Sequence, residues 1–147
     1  MARPTKALID IGALKSNYAF SLQKAGGKCM PMVKANGYGH GMDNVCYALE
    51  NADAFGVASI EEAMEIRSLG IMVPVLLLEG TFSADEILVA EKYDFWLLIE
   101  NHRQKHDLIK SLHDSGMGYR KIAQYLNEKG IKTAEETLGL ILKSFQY

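Results

Sequence analysis

The chain has 147 residues, 48% of them hydrophobic, and a net charge of −2 from 16 Lys+Arg against 18 Asp+Glu. That is enough apolar material for one ordinary domain with a small appendage, and it excludes a wholly disordered chain. The charge is uneven: residues 1–100 hold 8 basic and 13 acidic side chains, whereas residues 101–147 hold 8 and 5, so the sign turns from −5 to +3 near residue 100.

Taken in order, Lys6 to Ile11 (KALIDI) reads as a strand, and Leu14 to Gln23 as a helix closed by Gly26-Gly27. Cys29 to Val33 (CMPMV) reads as the next strand, with Pro31 an objection in its middle. A helix from about Met42 to Glu50 follows, then a short buried strand, Ala54 to Ala58. Ser59-Ile60-Glu61-Glu62 has the form of a capping box, in which the serine oxygen and the glutamate satisfy free amides at a helix start. That helix puts Ala63, Ile66 and Leu69 on one face and ends at Gly70. Val73 to Leu78 is a strand apolar on both faces, as a parallel sheet under helices requires. Ser83-Ala84-Asp85-Glu86 repeats the capping signature before another helix, and Phe95 to Ile99 is a further strand. Strands centred near Met32, Gly56, Leu76 and Leu97 recur at the spacing of βα units. The expected fold is therefore α/β: a partial (β/α) barrel of about four parallel βα units, over residues 1–101.

From residue 102 to 147 the expectation is a small α-helical tail. Arg103 to His113 and Tyr119 to Glu128 read as helices around the turn DSGMG. Thr133-Ala134-Glu135-Glu136 would open a third helix carrying Leu138, Ile141, Leu142 and Phe145. Three short helices with tight turns fit a helix-turn-helix arrangement. The longest uncharged apolar run, Ile71 to Leu78, is too short to span a bilayer. No apolar leader stands at the N-terminus, and two cysteines, Cys29 and Cys46, make no disulfide framework. A cytoplasmic, non-membrane setting is expected.

The chemistry concentrates in VKANGYGHG, residues 33–41. Lys34 follows an apolar strand directly, and the C-terminal strand ends are where parallel α/β proteins place their reactive groups. A partly desolvated lysine can lose its proton and form a Schiff base. Gly37, Gly39 and Gly41 permit close backbone approach, the helix after Gly41 offers its N-terminal dipole to an anion, and Tyr38 offers a hydroxyl to a phosphate. An amine beside a phosphate-sized site points to pyridoxal 5'-phosphate; the competing reading is a solvated lysine in a flexible turn.

The stretch MVKANGYGHG resembles the cofactor-attachment motif of alanine racemases, and ALIDIGALKSN, DAFGVASIEEAMEIRSLGI and PVLLLEGTF resemble the same family in the same order, from about Pro4 to Asn101. The resemblance implies an eight-stranded β/α barrel with a C-terminal β domain, usually dimeric, that interconverts L- and D-alanine. It implies that Lys34 carries pyridoxal phosphate as an internal aldimine and acts as one of two catalytic bases, with Tyr38 on the cofactor phosphate and His40 shaping the loop. The opposite-face base, the carboxylate-binding arginine and most phosphate donors of the family have no matching segment, and Tyr119, Tyr125 and Tyr147 do not stand in its motif. The expectation is a truncated racemase, weakly active or inactive alone, with alanine as substrate and a homodimer as a candidate assembly.

Leu112 to Thr133 resembles the helix-turn-helix segments of site-specific recombinases, which leaves two alternatives open: a DNA-binding or regulatory protein carrying a racemase fragment, or a remnant without activity. Arg120, Lys121, Lys129 and Lys132 would meet phosphates in the first. A helical cover for the open sheet is the preferred reading of the tail over nucleic-acid binding, because +3 is a modest charge for a DNA-binding surface. Helix 103–113 could equally be the next barrel helix. His102 and His106 share a helix spacing without a third ligand, and are read as solvated; Cys29, Cys46, Phe95 and Trp96 are read as core.

Overall fold

A computed structural model describes residue 4, residues 6–130 and the backbone of Leu140–Leu142. Within it the elements run α1 (Ile11–Ala25), α2 (Lys34–Tyr38), α3 (Met42–Ala48), β1 (Phe55–Val57), α4 (Ile60–Ser68), β2 (Val75–Leu77), α5 (Asp85–Lys92), β3 (Trp96–Ile99), α6 (His102–Asp114), α7 (Tyr119–Glu128) and β4 (Leu140–Leu142). The sheet order is β1-β2-β3-β4. β1, β2 and β3 are parallel, with Gly56 opposite Leu76 and Leu76 opposite Trp96.

Side chains alternate across a strand, and the alternation sorts the two faces. Phe55, Val57, Val75, Leu77, Leu97 and Ile99 join one buried cluster with Ala63 and Ile66 of α4, and Ile87 and Ala90 of α5. Gly56, Leu76, Trp96 and Leu98 take the opposite face. Met32 meets Gly56 through an isolated parallel bridge. A Cβ on Gly56 would run into the Met32 thioether, so this glycine gives the neighbouring segment room to approach.

Three expectations change. The parallel sheet has three strands rather than about four: Cys29 to Val33 contributes only the Met32 bridge. Pro31 sits inside that segment and has no amide to donate to a ladder. Lys6 to Ile11 is not a strand. Leu8 is 92% exposed, with no strand paired to it among the described residues, and α1 already begins at Ile11, capped by the Asp10 carboxylate on the Ala13 amide (2.9 Å). The third tail helix is also corrected where it is described: Leu140–Leu142 is a strand, antiparallel to β3 with Ile141 opposite Leu98. Pairing with the open edge of β3 outweighs the helix preference of the two leucines. The start of that expected helix, at Thr133, lies outside the described residues.

α6 and α7 form as expected, but they are not set apart from the sheet. Leu108 and Leu112 of α6 and Ile122, Tyr125 and Leu126 of α7 belong to the same buried cluster as the strands. Asn101 caps α6 through the Gln104 amide (2.9 Å). Among the described residues no helix is long and apolar enough to cross a membrane.

Candidate active site

The chain follows its strands into one rim. Val33 and Lys34 follow the Met32 bridge, Ala58 and Ser59 follow β1, Leu78 to Phe82 follow β2, and Glu100 and Asn101 follow β3. In parallel β/α architectures this C-terminal rim is where the chemistry is placed.

Lys34 is half-buried and opens α2. The turn is helical in its hydrogen bonds and left-handed in its backbone. Ala35, Asn36 and Gly37 have φ/ψ of 52/50, 54/49 and 62/38, and Tyr38 has φ 54. Left-handed geometry costs an ordinary L-residue about 1–2 kcal/mol, and three of these four residues are not glycine. The polar side chains of the motif offset that cost locally. Asn36 Oδ1 accepts the Met42 amide at 2.7 Å, His40 Nδ1 donates to the Gly37 carbonyl at 2.9 Å, and Asn44 Nδ2 donates to the His40 carbonyl at 3.0 Å. The Gly37 amide donates to Val33 O at 2.8 Å, the Gly39 amide to Ala35 O at 3.0 Å and the Gly41 amide to Asn36 O at 3.0 Å.

The structure brings Lys34 and Tyr38 onto one turn. Tyr38 is 59% exposed, and its hydroxyl has no hydrogen bond among the described residues. At the start of α3, where an anion was expected to meet the helix dipole, the Met42 amide serves Asn36 and the Asn44 amide serves the Asp43 carboxylate (2.8 Å). Of the other tyrosines, Tyr119 stacks on His113 with ring centres 4.4 Å apart, Tyr125 is buried in the core, and Tyr147 lies outside the described residues. Among the described residues no three His, Cys, Asp or Glu side chains converge as a metal site.

Sequence reading passed over two residues of the rim and saw half of a third. Gln104, 2% exposed, accepts the Glu100 amide at 2.8 Å and donates to the Glu79 carbonyl at 2.6 Å. Arg103 donates to the carbonyls of Phe82 (2.9 Å) and Thr81 (3.0 Å). Together they fasten α6 to the loop after β2. Glu62, expected to complete a capping box with Ser59, instead accepts the Ala58 amide before that cap and the Ala35 amide next to Lys34, and Ser59 makes no side-chain cap bond. The capping signature pointed to Glu62, but nothing local announced its second partner.

A lysine on a glycine-rich turn at the C-terminal rim of three parallel strands, covered by helices, is the layout of part of a β/α barrel. The family model of the alanine racemase N-terminal domain matches residues 9–133. The chain is 50% identical over 98 residues to the alanine racemase of Pseudomonas syringae pv. syringae, covering 66% of this chain and 28% of that one. It superposes on the alanine racemase of Acinetobacter baumannii with a TM-score of 0.71 at 36% identity, covering 83% of this chain and 40% of that one. It superposes also on the Bartonella henselae alanine racemase with covalently bound pyridoxal phosphate, with a TM-score of 0.64 at 25% identity, over 83% of this chain and 39% of that one. The chain belongs to the alanine racemase N-terminal domain family, and spans well under half the length of these relatives.

Proposed function

We propose that this chain supplies the cofactor-attachment part of a pyridoxal-phosphate-dependent alanine racemase, with Lys34 as the attachment lysine and Tyr38 as a contact to the cofactor phosphate. The observation that carries the reading is the position of Lys34: half-buried at the C-terminal rim, on a turn held in a costly left-handed conformation. Consecutive strained residues of this kind cluster at functional sites, and the other non-glycine residue at positive φ, Asp94, stands alone. The residues present fit the cofactor. The Ala35 amide serves Glu62 and those of Gly37, Gly39, Gly41 and Met42 bond within the loop, while the Lys34 amine and the Tyr38 hydroxyl have no partner among the described residues. When bound, pyridoxal phosphate supplies an electron sink for loss of the α-proton of alanine. Lys34 Nζ would hold the cofactor and would be the group that takes or returns a proton on one face of the substrate.

No residue here matches a second base for the opposite face, so these 147 residues alone are expected to hold cofactor and to racemise alanine weakly or not at all. A homodimer is the assembly proposed for the chain. The division at residue 101 is proposed as one of character, with α6 and α7 serving as a cover for the sheet whose core they share. A second reading, DNA binding by a recombinase-like helix-turn-helix, draws support from α6 and α7 meeting at the turn after Asp114, with Arg120 and Lys121 exposed on α7. Salt-dependent retention on DNA, abolished by Arg120→Ala/Lys121→Ala, would favour it.

The test is the visible spectrum of the purified chain with pyridoxal phosphate, beside Lys34→Ala. A new absorbance band, and after borohydride reduction a phosphopyridoxyl mass increment on Lys34, are expected in the first protein alone. Equal spectra and no modified Lys34 would sink the reading.

A further inference from the structure

Glu62 joins the Lys34 turn to the neighbouring strand end. Its Oε1 accepts the Ala35 amide at 2.6 Å and its Oε2 accepts the Ala58 amide, just after β1, at 2.8 Å. Capping α4 explains neither bond: Ala58 stands before the Ser59 cap, which makes no side-chain cap bond. The first reaches across 27 residues of sequence to another loop. Nor is Glu62 tied to the capping serine: the Ser59 hydroxyl hydrogen-bonds to Glu61, holding that carboxyl below its usual range.

The Ala35 amide belongs to the peptide unit that joins Lys34 to Ala35. Its orientation sets Lys34 ψ and Ala35 φ together, and Ala35 lies at φ 52, where an alanine does not settle unaided. Whatever holds this N–H holds both the entry into the left-handed turn and the backbone from which the Lys34 side chain departs. A carboxylate suits the task because both of its oxygens accept, so one rigid group serves two amides. Glutamine, of the same shape, has one acceptor and would turn an N–H against the other amide.

We propose that Glu62 is a positioning residue for Lys34. It locks the Lys34–Ala35 peptide in its left-handed setting against the end of β1, and so fixes where the Lys34 amine can attack. The part of this inference that concerns cofactor rests on the attachment reading above; the part that concerns the peptide does not.

The experiment compares the full chain with Glu62→Gln and Glu62→Ala, using two sets of readouts. The first needs no cofactor: amide exchange at Ala35 and Ala58, and the three-bond amide–Hα coupling of Ala35, which reports its φ. In Glu62→Ala exchange at both amides should rise about tenfold or more and the Ala35 coupling should leave its wild-type value, while in Glu62→Gln exchange should rise at the amide that loses its acceptor. Exchange at Val75 and Leu77 should stay unchanged, showing that the fold is intact. The second readout is the apparent affinity for pyridoxal phosphate at Lys34, expected to weaken about tenfold in Glu62→Gln. Unchanged exchange and coupling would overturn the proposal. Altered exchange with undiminished affinity would overturn it too, leaving Glu62 a strap between loops. If the wild type forms no adduct, the attachment reading fails, and exchange and coupling still decide whether Glu62 sets the Lys34–Ala35 peptide.

Discussion

Gln104 tests whether α6 is part of the barrel. Its amide satisfies two backbone groups that water does not reach easily, the Glu100 N–H and the Glu79 carbonyl. The Thr81 carbonyl, 3.3 Å away, keeps Arg103 as a donor if Gln104 is removed. Gln104→Ala therefore strands one donor and one acceptor, at about 1–3 kcal/mol each, and removes about two packed methylene-sized groups at about 0.8 kcal/mol each. Allowing for water entry, a loss of about 4 kcal/mol is expected, or roughly a 10–15 °C fall in midpoint for a domain of this size. Urea unfolding followed by circular dichroism measures it. Gly80 supplies an internal control. At φ 67, a Cβ there would press on the Leu98 carbonyl and the Gln104 amide, so Gly80→Ala alone should also destabilise, by about 2 kcal/mol or more. In the double variant one of the two obstacles is gone, and the losses should fall short of additivity by about 1 kcal/mol. A loss under about 1 kcal/mol for Gln104→Ala, with full additivity, would refute the reasoning: α6 would then be an appendage and its polar contacts replaceable by water.

Three further outcomes follow from single sites. Arg67 donates to the carbonyls of Ile71 (2.9 Å), Val73 (3.0 Å) and Tyr93 (3.4 Å) and lies over the Phe95 ring. Arg67→Ala should cost about 2–3 kcal/mol in urea unfolding, and Arg67→Lys should recover little, because an ammonium cannot reproduce the fork. Cys46 is buried, and burial first, then Glu65 and Asp43, push its thiol from 9.0 up to about 12. The folded state therefore keeps a proton that the unfolded chain loses; stability is unaffected below pH 9 and falls by about 1.4 kcal/mol per unit as pH rises from 9 toward 12, a slope that Cys46→Ala should remove. A thiol reagent at pH 8 should accordingly label half-buried Cys29 well before Cys46. Ala35→Gly should raise stability by about 0.5–1 kcal/mol, since glycine takes φ 52 without penalty while adding some entropy to the unfolded chain; a loss would contradict the left-handed assignment.

The residues show why part of this was legible in sequence. α4, β2, α5 and β3 were readable because helix period, apolar runs and glycine stops agree within each βα unit. Lys6 to Ile11 has strand composition but no partner among the described residues, and composition does not reveal a missing neighbour. Leu140 to Leu142 shows the reverse: its conformation is set by an edge about forty residues earlier in the chain. The site divides in the same way. Lys34 and Tyr38 stand in a contiguous motif, whereas Glu62 and Gln104 act through backbone groups 27 and 25 residues away. A polar side chain at a helix start ordinarily reads as solvated.

The edge beside β3 carries a last consequence. A parallel strand that continued the barrel would use the outer hydrogen-bonding groups of β3, the side to which β4 is now paired in antiparallel register, Leu97 to Leu142, Leu98 to Ile141 and Ile99 to Leu140. One edge cannot accept two strands, so β4 and a continuing barrel strand exclude one another. β4 thus acts as a stop on an edge that would otherwise present unpaired N–H and C=O groups to other chains. Ile141→Pro places a fixed φ in the middle of this three-residue strand and removes an amide. The variant should keep the helices of residues 11–128 and associate more strongly with itself, seen as a larger sedimentation coefficient that rises with concentration. Amides of β3 should meanwhile lose protection at low concentration and regain it on association. Sedimentation identical to the wild type, with β3 protection unchanged, would show that pairing with Leu140–Leu142 is not what closes this edge.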